Sequence, residues 1–144
     1  MTKHILLIIM VVTLARLTAK SQPGNLVING SFEAYDSCPN YSSYYDGTLI
    51  SCQNWFQPNT ARNSSDYFNS CDQDTNYLSV PNNFCGYQIA RSGDAYAGVS
   101  PGSILAPLDN WREYIESELK SPLNAGSKYL IRFFVSCPNN VVLA

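Results

Sequence analysis

Short apolar segments recur roughly every ten residues along this chain, each closed by turn-forming residues, and that rhythm points to β architecture. Leu26-Val27-Ile28 stops at Asn29-Gly30, a strong turn pair. Trp55-Phe56 interrupts a polar stretch as the inward anchor of a short strand, and Asp66-Tyr67-Phe68-Asn69 is a second brief apolar return. Pro81-Asn82-Asn83 opens the segment from Phe84 to Ala90. Gly93-Asp94 then turns the chain into Ala95-Tyr96-Ala97-Gly98-Val99, where small residues alternate with one aromatic, as in a strand packed closely against another backbone. From Tyr129 to Ser136, Tyr129, Ile131, Phe133 and Val135 share one face while Leu130, Arg132, Phe134 and Ser136 share the other. Trp111 to Leu119 reads two ways: apolar residues at 111, 114, 115 and 119 fit a helix, and alternation also works, with the pattern alone favouring helix. The expected fold is all-β, an antiparallel β-sandwich or jelly roll.

The first residues bear on compartment. Lys3 and His4 precede an apolar run from Ile5 to Leu14, followed by small or polar residues at Ala15, Thr18, Ala19 and Ser21. This is the layout of a secretory signal peptide over residues 1–21, and the run falls short of the roughly 20 apolar residues that a spanning helix needs. The expected organisation is therefore a signal peptide, 1–21, and one β-sandwich domain, 22–144, with no transmembrane span in the mature chain. Removing the leader takes Lys3, Arg16 and Lys20 but none of the eleven acidic residues, leaving six basic residues and a net charge of −5. No basic cluster remains, which argues against nucleic acid and anionic membrane as partners.

The chain's single histidine, His4, leaves with the leader. A mature chain without histidine lacks Ser-His and Cys-His nucleophile pairs and the commonest zinc ligand. Carboxylate chemistry survives this test: Glu113, Glu116 and Glu118 are close in sequence, although with Arg112 and Lys120 they read better as the solvent face of one element. The expectation is a protein that is not an enzyme. Five cysteines, Cys38, Cys52, Cys71, Cys85 and Cys137, contain no CxxC pair, and in an oxidising compartment they read as bridges. Their odd number leaves one unpaired, and two bridges drawn from five allow fifteen patterns.

Six ordered blocks carry a family resemblance. Asn25-Leu26-Val27-Ile28-Asn29-Gly30-Ser31-Phe32-Glu33 resembles the opening of carbohydrate-binding jelly rolls of the galactose-binding-like fold. With Phe32 to Pro39, Asp66 to Cys71, Val80 to Gln88, Gly93 to Gly98, and Arg112 to Ile115 followed by Leu119 to Leu123, the chain resembles the N-terminal module of OmpA-family and gliding-motility-associated surface proteins of type IX-secreting bacteria. The resemblance implies a strand, not a helix, at Arg112-Glu113-Tyr114-Ile115. It implies pairing of Cys38 with Cys71, and we expect Cys52 with Cys85 as the second bridge. Family members continue beyond Tyr129–Ser136 with further strands, so the resemblance also implies a sandwich lacking its last strands.

The function expected on this basis is an exported recognition module, secreted, periplasmic or at the cell surface and outer membrane. Its partners would be polysaccharide or cell-wall glycan and other envelope domains. The alternative is a structural spacer or adhesin domain. Trp55, Tyr87, Tyr96 and Trp111 are the candidate sugar contacts, because pyranose C–H faces stack on flat rings, with Gln88 or Asn83 bonding hydroxyls; otherwise such rings fill a core. Glu33 occupies the position where related carbohydrate-binding folds hold a structural calcium, and Asp36 is the candidate partner acid.

Overall fold

A computed structural model describes residues 24–40, 47–58, 64–75, 77–101 and 112–139. The leader and Trp111 lie outside the described residues. The chain is all-β, with almost no helix among the described residues: a 3-10 turn at Leu49–Ser51 and strands β1 (Asp66–Asn69), β2 (Asn82–Asn83), β3 (Gly86–Tyr87) and β4 (Ala95–Gly98). β1 pairs antiparallel with β4, placing Asp66 opposite Gly98, Tyr67 opposite Ala97, Phe68 opposite Tyr96 and Asn69 opposite Ala95. β2 and β3 form a tight antiparallel hairpin.

β1 works on both faces, which explains why Tyr67, Phe68 and Asn69 are all buried rather than alternately exposed. Successive strand residues point to opposite sides. On one side Tyr67 packs with Leu49, Cys52 and Ala95, and Phe32, Trp55, Ala97 and Ile115 close that core. On the other, the Phe68 ring stacks on Tyr96 at 5.0 Å and meets Phe84 of the hairpin at 5.7 Å. The small residues of β4 answer these rings: a Cβ at Gly98 would lie 2.7 Å from the Phe68 ring edge. Ala95, Ala97 and Gly98 leave the space that the aromatic side chains of β1 fill.

The first apolar run pairs through Val27, which bridges to Leu119 with Lys120 N donating to Leu26 O, before turns occupy 28–31. Asn29, at φ 50°, fastens that turn: its Nδ2 donates to Ala34 O and Gln53 O, and its Oδ1 accepts from Ala34 N. Residues 112–119 are not helical, and the strand implied at 112–115 is not formed; the segment joins the body through single bridges at Glu116 and Leu119. Exposure alternates along the segment, and Phe56 and Glu116 exchange both backbone bonds, at 3.0 and 2.9 Å. Helical spacing of 111, 114, 115 and 119 was misleading because the antiparallel bridges at Phe56 and Val27 hold the backbone straight.

Two further expectations are corrected. Tyr129–Ser136 is not a strand of any sheet: residues 128–138 form no backbone hydrogen bond among the described residues. Leu130, Ile131 and Val135 are 87, 83 and 84% exposed. The two-residue period is present, but a strand exists only in a ladder, and among the described residues no neighbouring backbone supplies one. The second correction concerns the cysteines. Cys38 and Cys71 are bridged, whereas Cys52 and Cys85 are both free. Cys52 packs with Tyr67 on one side of the β1–β4 sheet, while Cys85 sits in the hairpin turn next to Phe84, whose ring meets Phe68 on the opposite side.

Candidate functional site

The sequence candidates do not assemble into one surface. Trp55 is half-buried against the core: its ring stacks on Phe32 with centroids 4.6 Å apart, and its Nε1 donates to Asn29 O at 2.8 Å. That combination engages one face and the polar tip of the indole. Tyr96 is half-buried on Phe68, and its hydroxyl accepts from Asn83 Nδ2 at 2.7 Å. Burial pushes the Tyr96 hydroxyl up to about 12. Asn83 is itself buried, donating also to Ser79 O and accepting from Cys85 N through Oδ1.

Tyr87 alone presents an open ring, at 52% exposure on β3. Its neighbour Gln88 is already engaged, donating from Nε2 to Ile89 O and accepting from Ser136 Oγ at Oε1, both at 2.7 Å. Trp111 lies outside the described residues.

Glu33 has a definite task. Both of its carboxylate oxygens accept from Asp94 N at 3.1 Å, and Oε1 also accepts from Ala95 N at 3.2 Å. The carboxylate thus caps the turn leading into β4, and Gly93, at φ 68°, gives way to it: a Cβ there would overlap the Glu33 carboxyl group. Asp36 is occupied separately, accepting from Gln53 Nε2 at 2.6 Å. Calcium needs six to eight oxygen ligands, whereas Glu33 is surrounded by N–H donors. No group of three or more metal-capable side chains gathers among the described residues. The residues present do not fit the calcium site that the resemblance implied.

Sequence reading missed a polar cluster behind β1. Glu113 accepts from Ser64 Oγ at 2.7 Å and from Ser100 N at 2.6 Å, and Ser65 Oγ donates to Tyr114 O at 3.1 Å. Asp66 accepts from Thr48 Oγ1 at 3.4 Å. Burial, then the charge of Glu113, raises the Asp66 carboxyl to about 7. The signal was available: Asp66 opens a strand of buried aromatics, and alternation in 112–118 turns Glu113 inward with Ile115. Glu116 and Glu118 point outward, so the three glutamates close in sequence do not meet in space.

Chemically, this arrangement ties the 112–119 segment to β1. Cys52 is equally quiet: burial pushes its thiol up to about 12, and its S–H lies against Phe32 O and Ala34 O. Among the described residues no helix is long and apolar enough to cross a membrane. No family model matches the chain, and no curated protein or solved structure is significantly similar to it.

Proposed function

We propose that this chain is a non-catalytic building module of the cell envelope, a jelly-roll-type sandwich exported by its leader and acting as a spacer or adhesin domain. The observation that carries this reading is the use made of Trp55: it stacks one ring face on Phe32 and bonds its N–H to Asn29 O, both within the body of the protein. Tyr96 is spent in the same way. The Cys38–Cys71 bridge supports an oxidising compartment, where such bonds persist. The ordered likeness to surface proteins of type IX-secreting bacteria supports the envelope.

Affinity gels and glycan arrays probed with the full chain test this against recognition of sugars. Flat responses across plant, algal and bacterial polysaccharides are expected, together with surface labelling of intact cells. Glycan binding is the second reading, favoured by the exposed ring of Tyr87. A polysaccharide retained by the wild type and released by Tyr87→Ala, at unchanged melting temperature, would replace the first reading with the second.

A further inference from the structure

Outside the Cys38–Cys71 bridge, Cys52 is buried, Cys85 half-buried and Cys137 exposed. Cys52 is accounted for by the core. The other two lie on segments that touch. The Arg91 guanidinium sits 4.5 Å over the Phe134 ring, and Ser136 Oγ donates to Gln88 Oε1 at 2.7 Å. The contacts of 134 with 91 and of 136 with 88 run in opposite senses along the chain and bring the two segments together beside the hairpin. Cys137 follows Ser136 directly, and Cys85, in the hairpin turn, precedes Gln88 by three residues. Three residues of extended chain span at most about 10 Å, and a disulfide needs roughly 4.4–6.8 Å between Cα atoms, so a small displacement of the 129–138 segment joins the two thiols.

We propose that Cys85 and Cys137 form a second disulfide, which straps the 129–138 segment onto the β2–β3 hairpin. The oxidant is another disulfide, either a small molecule such as oxidised glutathione or the active-site disulfide of a thiol oxidase. The exposed Cys137 thiolate attacks one of its sulfurs and releases the first thiol. The Cys85 thiolate then attacks the Cys137 sulfur and expels the second. Each cysteine loses one proton, and the oxidant's S–S bond is reduced to two thiols. Burial holds the Cys85 thiol up at about 11, so the second step is the slower one and quickens as pH rises.

The test is a non-reducing peptide map of the full chain, folded with oxidised and reduced glutathione and alkylated before and after denaturation. A peptide pair joining Cys85 to Cys137 is expected, with Cys52 alkylated only after unfolding. In Cys137→Ser, Cys85 should appear as an additional thiol in denaturant, and chymotrypsin should cut within 129–136 faster than in the wild type. Alkylation of both Cys85 and Cys137 in the wild type would overturn the proposal. So would Cys137 bonded to a second copy, or Cys85 bonded to Cys52. Should Cys137→Ser fail to fold, the wild-type map decides alone.

Discussion

Asp66 starts a strand whose next three residues are buried, and its largely buried carboxyl accepts from the Thr48 hydroxyl. In the unfolded chain it titrates near 3.8 and in the folded one near 7. Between those values the native state keeps a proton that the unfolded state has released, so stability falls as pH rises from about 4 to about 7 and levels off above. The slope is worth up to about 4 kcal/mol. Urea unfolding at pH 5 and pH 8 should show it, and Asp66→Asn, which stays neutral, should flatten the profile and raise the pH 8 value. Glu33 contributes through hydrogen bonds, its carboxyl oxygens accepting from the backbone N–H groups of Asp94 and Ala95. Glu33→Ala should cost about 1.5–3 kcal/mol by stranding those donors. A chelator should leave the wild-type melting temperature where it was; a fall on chelation would return Glu33 to a metal.

The elements of this fold are short, and each is decided by what lies beside it. β4 was legible because its sequence alternates small residues with Tyr96, and the rings of β1 require those gaps. Residues 112–119 were not legible from their own pattern, since apolar spacing at 111, 114, 115 and 119 satisfies both periods; the bridges from Phe56 and Val27 decide the matter, and both come from distant sequence. The converse failure is Tyr129–Ser136, where the local period is clear and no ladder forms among the described residues. Trp55 was legible as an inward anchor, but its indole N–H partner depends on the Asn29 turn, which sequence could mark only as a turn. An exposed apolar strand-like segment is an association site. Ile131→Lys with Phe133→Lys should therefore suppress concentration-dependent association in sedimentation velocity while shifting stability by no more than about 0.5 kcal/mol per site. A large loss of stability would mean that the segment packs against the body.

At the scale of the whole molecule, the described residues form small sheets and depend on long-range ties. The core is joined from pieces far apart in sequence: Phe32 and Trp55 from the early loops, Tyr67 from β1, Ala95 and Ala97 from β4, Ile115 from the 112–119 segment. Glu33 ties the first of these to the turn before β4, and Cys38–Cys71 ties the same N-terminal region to the end of β1 across 33 residues. Closing a loop of that length removes unfolded-state entropy equivalent to about 3–4 kcal/mol. Domains of this size commonly hold only about 5–15 kcal/mol in total. Replacing Cys71 with serine should therefore lower the urea midpoint sharply and detach the 24–40 region first. Hydrogen exchange should report that order, with amides at Ala34 and Asp36 losing protection before those of β1. Simultaneous loss at both places would mean that the bridge holds the core as one cooperative unit rather than pinning a peripheral loop to it.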